Sequence, residues 1–219
     1  LLKVTFSWQA LEEHALAVGK AVKGNLEEGR RAAGRMVSRD TASLSGEETV
    51  SAACESLSEN LVDSITAPLL FFAAFSPLGL GLAAAAFYRA ANTMDAMLGY
   101  RDHRERIGWF PARLDDVLTW VPARVTGLLL LAYFAVRGRF GPALAGLRSD
   151  ARKRPGPNGG IPMAIIAGGT GVRFVKPGVY TMGPGERSLA EGGRDILRAV
   201  QVTTVILAAV LGIALFLWA

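Results

Sequence analysis

The last 20 residues of the chain, VQVTTVILAAVLGIALFLWA from Val200 to Ala219, contain no charged side chain. A helix of this length rises about 30 Å, which matches the hydrocarbon thickness of a bilayer. A helix in the core of a water-soluble protein rarely stays apolar on every side over such a length. The C-terminal position also excludes a secretory signal peptide. The segment therefore predicts a transmembrane helix at 200–219.

The overall composition supports a membrane protein. Hydrophobic residues make up 51% of the 219-residue chain, and its mean hydropathy is +0.30. The formal net charge of +5 suits anionic lipid headgroups or an anionic substrate. We expect no nucleic-acid partner, because no basic run is interleaved with aromatic residues. One cysteine, Cys54, and two histidines, His14 and His103, exclude an internal disulfide and a cysteine- or histidine-rich metal cage.

Apolar runs and helical periodicity predict an all-α fold: a polytopic integral membrane protein with kinked or re-entrant segments and a glycine-rich loop region. We interpret the chain as one membrane-embedded domain over 1–219. Because it begins on Leu1 rather than methionine, we also expect that an upstream piece is missing. Four parts are predicted in chain order: an amphipathic helical part at 1–60, apolar segments at 61–136 with a charged connector at 89–116, a basic and Gly/Pro-rich loop region at 137–199, and the transmembrane helix at 200–219.

Helix-capping signals divide the first part. The apolar spacing predicts helix over 3–37 with a break at Gly24-Asn25. Ser45 and Glu48 have the spacing of a capping box, which predicts the start of the next helix.

Prolines interrupt the apolar run that follows. Pro68 and Pro77 should kink or break its helix, so the run forms either one long kinked span or two half-length segments that turn at SPLGLG. A second apolar segment covers 117–136 and contains Arg124. Which of the two arrangements holds decides the membrane topology, and both stay open.

The loop at 137–160 is strongly basic. By the positive-inside rule it is expected on the cytoplasmic side. RPGPNGGIP within it excludes regular structure, and MAIIAGGTGVRFV after it is too short and glycine-rich for a membrane-spanning helix. The basic residues are Arg137, Arg139, Arg148, Arg152, Lys153 and Arg154, against Asp150 alone.

Three carboxylates follow one another at helical spacing in CESLSENLVDS. Glu55, Glu59 and Asp63 stand at i, i+4 and i+8, so a helix places them on one stripe. Like charges at this spacing repel, and Asp63 borders an apolar run, where ionisable groups usually serve a pathway or a site. We expect a positive partner there, either an arginine or bound Mg²⁺. The alternative is a solvated helix face.

The charged connector at 89–116 also carries ionisable side chains at helical spacing, here both positive and negative ones. Arg89, Asn92 and Asp95 recur every three residues, and a break is predicted around GWFP. Arginine suits phosphate or carboxylate because its planar group makes paired hydrogen bonds, whereas neighbouring aspartates suit a metal that bridges phosphates. The alternative is a set of Arg–Asp ion pairs that hold helices together. Beyond the break, one helix face is predicted to hold Arg113, Asp116, Trp120 and Arg124, with Asp115 beside it.

A third candidate is GRMVSRDT, which places Arg39, Asp40 and Thr41 next to each other; its alternative interpretation is a surface turn. The sequence lacks a phosphate-binding loop, a dinucleotide fingerprint, a nucleophile elbow and an HExxH zinc motif. Residue types and spacing thus predict a membrane protein whose arginine and carboxylate site suits anionic or Mg-phosphate ligands.

Five short motifs make the chain resemble a known family. They span residues 34–173 and are, in chain order, GRMVSRDT, ESLSENLVDSITAPL, YRAANTMDAMLGY, RLDDVLTWVPAR and PGPNGGIPMAIIAGGTGVR. This set is similar to the cobalamin biosynthesis family CobD/CbiB, the membrane-bound adenosylcobinamide-phosphate synthase. The resemblance implies an ATP- and Mg²⁺-dependent acid–amine ligase. Its substrates would be adenosylcobyric acid and (R)-1-aminopropan-2-ol or its phosphate, and its product adenosylcobinamide or the phosphate.

The motifs assign candidate site residues, and the roles below are our expectations from chemistry. Thr119 departs from the asparagine expected in many members, and members usually begin with further apolar segments before the position of Leu1. We expect Mg²⁺ to be held by Glu59, Asp63, Asp115 and Asp116. The expected catalytic residues are Arg39, Asp40, Asn60, Asn92, Asp95, Arg113 and Arg124, and the expected substrate-binding residues are Thr41, Tyr100 and Asn158.

The implied enzyme is a multi-pass protein of the cell membrane, in contact with the lipid bilayer and with its site facing the cytoplasm; an oligomer is compatible with the sequence. Two other function classes stay open. A transporter or channel for an anionic solute would line its pathway with Asp63 and Arg124, although transporters more often show inverted repeats and several full spans. A lipid-anchored scaffold would use the charged stripes only as ion pairs.

Overall fold

The fold is helical, with one short β-hairpin. The computed structural model describes Leu2, Trp8–Gly99 and Glu105–Trp218, with the backbone alone at Glu105. Tyr100, one of the expected substrate-binding residues, lies outside the described residues. The elements are α1 (Trp8–Gly24), α2 (Leu26–Ala33), α3 (Gly46–Leu61), α4 (Ala67–Phe75), α5 (Gly81–Leu98), α6 (Glu105–Leu118), α7 (Trp120–Val136), α8 (Phe140–Asp150), α9 (Gly160–Thr170), β1 (Phe174–Lys176), β2 (Tyr180–Met182) and α10 (Leu189–Trp218).

The capping predictions are confirmed. Asn25 ends the first helix and caps α2, because its side chain accepts hydrogen bonds from the backbone N–H groups of Glu27 and Glu28. Ser45 and Glu48 form both hydrogen bonds of a capping box at the start of α3. The predicted helix over 3–37 ends earlier, at Ala33.

The proline-interrupted run reverses direction at SPLGLG, the second of the two predicted arrangements. Its first arm is longer than a half-length segment, because one helical stretch continues from Gly46 to Leu78. Within this stretch a π-helical turn at Val62–Thr66 precedes α4, and Pro68 lies at the start of α4, where its missing N–H is tolerated. Gly79, at φ +72°, allows the chain to turn so that α5 packs against α4.

The predicted break around GWFP is wrong. Helix α6 continues through Pro111, which removes one backbone hydrogen bond without ending the helix. Gly108 lies against α5, where an added Cβ atom would stand 1.9 Å from the backbone oxygen of Leu98. The break falls instead at Thr119, between α6 and α7, whose axes differ by 43°.

The predicted loop region at 137–199 is also largely wrong, because it contains α8, α9, the hairpin and the first part of α10. Helices α8 and α9 pack closely through glycines, and α9 is buried over almost its whole length. Its 11 residues are too few to span a bilayer, as predicted. β1 and β2 pair antiparallel, with Phe174 opposite Met182.

Two helices are long and apolar enough to cross a membrane in the part of the chain that the structure describes. They are Gly46–Leu78 and Leu189–Trp218, and the bent pair α6 and α7 makes a third if it counts as one span. Helix α10 begins 11 residues before the predicted start at 200, and its outer end exposes apolar side chains such as Phe216. The prediction of an all-α, polytopic membrane protein is confirmed. The hydrophobic core lies where α3, α7, α9 and α10 meet.

Asp150 fastens the hairpin to the end of α8. Its carboxylate accepts a hydrogen bond from the Gly183 backbone N–H at 2.6 Å and pairs with the Lys153 ammonium group at 2.7 Å. Burial alone would raise the pKa of Asp150, but the hydrogen bonds from Lys153 and Gly183 outweigh it and hold this pKa below its ordinary value.

We therefore expect the stabilisation by Asp150 to depend on pH. A carboxyl group with a lowered folded-state pKa stabilises the fold above its unfolded pKa of about 4, and this stabilisation is lost as the pH falls through the folded-state pKa. Asp150→Asn should lower the free energy of unfolding by about 2 kcal/mol near neutral pH. Denaturant titrations in detergent at several pH values test this. A wild-type to variant difference that does not shrink below about pH 4 would contradict it.

Candidate functional site

A cavity of 530 Å³ lies between the middle of α3, the π-helical turn, α5 and the β-hairpin. Its walls also include the segment after α2 and the loop after α8. The polar and charged residues that line it are Ser38, Arg39, Glu55, Ser56, Glu59, Asn60, Asp63, Asn92, Asp95, Arg154, Lys176 and Tyr180.

The π-helical turn places a carboxylate at one end of this cavity. Asp63 lies in that turn, and its backbone oxygen accepts a hydrogen bond from Arg89 Nη1 at 3.1 Å. The same guanidinium nitrogen donates to Asn92 Oδ1 at 2.9 Å, and Asn92 Nδ2 donates to Asp115 Oδ1 at 3.1 Å. The negative charges of Glu59 and Asp115 act on Asp63. This end of the cavity is therefore acidic, and Arg89 and Asn92 connect α5 with the π-helical turn and with α6.

Arg154 supplies the positive partner expected beside the carboxylate stripe. Its Nη2 atom donates to Glu59, and its Nη1 atom donates to the Pro155 backbone oxygen at 2.7 Å. Burial would lower the pKa of Arg154, but the negative charges of Glu59 and Asp63 outweigh it and raise this pKa. The expectation of an arginine partner is confirmed for Glu59, so repulsion along the stripe is offset from a loop 95 residues away.

Asp95 faces the same end of the cavity from α5. Burial and the negative charge of Asp116 raise the pKa of Asp95, and the positive charge of Arg154 opposes the rise. The acidic end thus combines side chains from three separate stretches of the chain: Glu59 and Asp63, then Asp95, then Arg154.

A second part of the cavity wall is built around Glu55, one helical turn before Glu59, and Glu55 is 4% exposed. Its carboxylate accepts hydrogen bonds from Ser51 Oγ at 2.7 Å, Tyr180 Oη at 2.7 Å and Arg39 Nη2 at 3.1 Å. Burial and the negative charge of Glu55 raise the pKa of Tyr180, so its hydroxyl stays a hydrogen-bond donor at neutral pH. Helix α3 therefore positions both Arg39 and the hairpin.

The structure brings together six of the expected site residues and leaves seven others off the cavity wall. Asp115 and Asp116 stand just behind the wall, since their charges act on Asp63 and Asp95. Asp40 accepts from the Ala42 N–H in an exposed turn, and Thr41 donates to the Arg30 backbone oxygen. The residues on the wall are Arg39, Glu59, Asn60, Asp63, Asn92 and Asp95; those off it are Asp40, Thr41, Arg113, Asp115, Asp116, Arg124 and Asn158.

Arg124 and Asn158 bind to each other. Arg124 Nη1 donates to Asn158 Oδ1 at 2.6 Å, and its guanidinium group lies 4.3 Å from the centre of the Trp120 ring. Asn158 Nδ2 in turn donates to the Asp116 backbone oxygen at 2.8 Å. Arg124 therefore holds the loop after α8 against α6 and α7, and so helps to place Arg154.

Six polar or charged residues of the cavity wall were not among the expected site residues: Ser38, Glu55, Ser56, Arg154, Lys176 and Tyr180. Arg154 directly precedes the PGPNGG motif, which was a usable signal. Lys176 and Tyr180 lie in a hairpin that was predicted as loop, and nothing near them in the sequence indicates an acidic partner. Glu55 had been noticed only as part of the carboxylate stripe.

The carboxylate oxygens of the acidic end are of the type that coordinates Mg²⁺ together with phosphate oxygens. Among the described residues, no three His, Cys, Asp or Glu side chains form a group that could hold a metal ion by themselves. Mg²⁺ at nucleotide sites usually takes one or two carboxylates, and phosphate and water oxygens complete its shell. Glu59, Asp63 and Asp95 offer such carboxylates at the cavity wall. Their role as metal ligands stays a prediction.

Comparison with known proteins places this architecture in a family. The family model described as CobD/Cbib protein matches residues 1–208. The probable cobalamin biosynthesis protein CobD of Methanothermobacter thermautotrophicus is 46% identical over 185 residues, which cover 84% of this chain and 61% of that protein. The protein of the same name from Pyrococcus abyssi is 42% identical over 218 residues, which cover 99% of this chain and 68% of that protein.

A third relative of the same name, from Methanothrix thermoacetophila, is 42% identical over 183 residues, which cover 83% of this chain and 57% of that protein. The chain thus spans roughly three fifths of the length of the curated relatives it matches. No solved structure matches it. With a family match over residues 1–208 and relatives at this level of identity, the chain belongs to the CobD/CbiB family.

Proposed function

We propose that the protein acts in cobalamin biosynthesis as an ATP- and Mg²⁺-dependent acid–amine ligase. It would join a carboxylate of adenosylcobyric acid to (R)-1-aminopropan-2-ol or its phosphate. The single observation that supports this best is the family match over residues 1–208, together with relatives that are named probable cobalamin biosynthesis proteins. The cavity wall offers charges of both signs for such a reaction: the cations Arg39, Arg154 and Lys176, and the carboxylates Glu59, Asp63 and Asp95.

The chemistry explains why no nucleophilic side chain is required. A carboxylate is a poor acceptor for an amine, so its oxygen must leave as phosphate; carboxylate, amine and ATP give amide, ADP and phosphate. Mg²⁺, when bound, would neutralise charge on the phosphate oxygens. The protein then has to bind oxyanions, orient the amine and keep water away, which are tasks of positioning and electrostatics.

Specific tasks follow from the contacts. Arg39 offers hydrogen-bond donors to an oxyanion, and Glu59, Asp63 and Asp95 offer oxygen ligands to Mg²⁺ or hydrogen-bond acceptors to an ammonium group. Arg89 holds the backbone of Asp63 in position, and Asn92 orients the Asp115 carboxylate. We further propose that the cavity faces the cytoplasm, because the loop around Arg154 is basic.

Product analysis tests the proposal. The purified chain and, in parallel, the full-length Methanothermobacter relative are incubated in detergent with Mg-ATP and adenosylcobyric acid. Each reaction receives either aminopropanol or aminopropanol phosphate, and mass spectrometry follows the amide and ADP. We expect one ADP per amide and a clear preference for one of the two amines. If folded protein forms no amide and shows no corrinoid-dependent ATP use in either case, the ligase function is rejected, and liposome uptake of anionic solutes becomes the next assay.

A further inference from the structure

Arg39 has buried hydrogen-bonding capacity that the fold does not use. Its side chain is 14% exposed, and its Nη2 atom pairs with Glu55 at 3.1 Å. Its Nε and Nη1 atoms are fully buried and have no hydrogen-bond partner among the described residues. Leaving buried charged donors unpaired is costly, so folded proteins usually complete them with protein groups, water or a ligand. Arg39 also lines the cavity, so a small rotation of its guanidinium group would bring these donors to a cavity occupant.

One nitrogen of the Arg39 guanidinium group is anchored by Glu55. Glu55 holds the Nη2 atom and is itself held by Ser51 and Tyr180, each at 2.7 Å. The Ser51 hydroxyl also accepts the backbone N–H of Val175 at 2.7 Å, so α3 and the hairpin are joined at two points. With its acceptors already engaged by two hydroxyl donors, Glu55 satisfies only one nitrogen of Arg39.

The same hairpin brings a second cation to this part of the cavity. Lys176 and Tyr180 are paired across the two strands, and both line the cavity. From the unpaired nitrogens of Arg39 and the nearby Lys176, we propose that this part of the cavity is an oxyanion-binding subsite. Glu55 and Tyr180 are its positioning residues.

The ligand class is a phosphate-type oxyanion, which takes several hydrogen bonds at once from arginine and lysine. This inference deepens the proposed ligase function, on which it rests for the identity of the reactant: either the phosphate of aminopropanol phosphate or a phosphate of ATP. A carboxylate has the same sign of charge but fewer acceptor oxygens. We therefore expect phosphate to bind more tightly than acetate.

The first test measures binding of inorganic phosphate by calorimetry, without nucleotide or corrinoid. Arg39→Met should weaken phosphate binding about tenfold or more, because a charge-assisted hydrogen bond is lost. Arg31→Met is the charge-matched control, since Arg31 is exposed on α2 and does not line the cavity. Equal phosphate affinity in the two variants would overturn the subsite, and so would folded wild-type protein that binds no phosphate. Lys176→Met, on the partly exposed hairpin, repeats the test if Arg39→Met does not fold.

The second test separates positioning from general stability. Tyr180→Phe keeps the ring but frees Glu55 Oε2, which then competes for the unpaired nitrogens of Arg39. Phosphate affinity should fall about threefold, measured at a temperature where the variant is folded. Tyr133→Phe also removes a hydroxyl, on α7 where the ring packs against Phe134, and should leave phosphate affinity unchanged. A Tyr180→Phe variant that is less stable but binds phosphate normally would show that Tyr180 is only structural.

Kinetics identify the source of the phosphate. If the subsite holds aminopropanol phosphate, Arg39→Met raises KM for that amine and has less effect with unphosphorylated aminopropanol; if it holds ATP, KM for ATP rises with both amines. Either result supports the subsite. Phosphate binding that depends on Arg39 in a protein that forms no amide would reject the ligase and keep the subsite. If Arg39→Met forms the amide with unaltered KM values, the ligase function is kept and the subsite is rejected.

Discussion

Asp63→Asn is expected to lower kcat of amide formation by about 100-fold or more, the size found when one charge-stabilising group is removed from an active site. Asp63 lies in the π-helical turn, within the helical stretch from Gly46 to Leu78, and lines the acidic end of the cavity. Asparagine keeps the shape of the side chain and removes its negative charge. The variant thereby loses a carboxylate that could bind Mg²⁺ or accept a hydrogen bond from an ammonium group in the cavity.

The same change should not destabilise the fold. Burial of the Asp63 carboxylate and the negative charges of Glu59 and Asp115 disfavour its charge, and together they outweigh its attraction to Arg154 and Arg89. The free energy of unfolding should stay the same or rise, as when a strained functional group is replaced. Initial rates and denaturant titrations on one preparation measure both quantities.

Glu47→Gln is the matched control for Asp63→Asn. Glu47 lies at the exposed start of the same helical stretch and also loses one negative charge. Its kcat should stay within about twofold of wild type. Full activity of Asp63→Asn would exclude a catalytic role for its charge, and equal losses in both variants would point to a nonspecific charge effect.

Gly146→Ala is expected to lower the free energy of unfolding by about 3 kcal/mol, although it adds only one methyl group. Gly146 lies where α8 crosses α9, and its Cα would bring a Cβ atom to 2.4 Å from the Ala164 backbone oxygen. A backbone oxygen inside a buried helix cannot rotate away as a side chain can. Gly168 faces Gly146 across the crossing, so both helices depend on small residues there.

Gly193→Ala, inside α10, should have the opposite sign. A Cβ atom at Gly193 would have no neighbour within 4 Å, and alanine favours helix over glycine by about 0.5–1 kcal/mol. Thermal unfolding of both variants in one detergent gives the comparison. Two variants of equal stability would contradict the close α8–α9 crossing.

Local signals in the sequence predicted local structure correctly. The capping box of Ser45 and Glu48 and the break at Gly24-Asn25 each depend on residues only a few positions apart. The reversal at SPLGLG was one of two arrangements that the sequence left open, and the structure decided between them. The break expected at GWFP does not occur, because α6 continues through Pro111 while Gly108 packs against the end of α5, a tertiary contact that the local sequence does not indicate. The prediction of a loop at 137–199 was wrong because glycines, which usually break helices, here allow α8 and α9 to pack closely against each other.

The sequence by itself determined the membrane-protein class, the family motifs and the carboxylate stripe on α3, because these follow from composition, order and helical spacing. Only the tertiary structure decided which charges meet. Glu59 pairs with Arg154 across 95 positions and Glu55 with Tyr180 across 125. Spacing along a chain indicates which side chains share a helix face, but the partner that neutralises a buried charge comes from whichever element packs against that face.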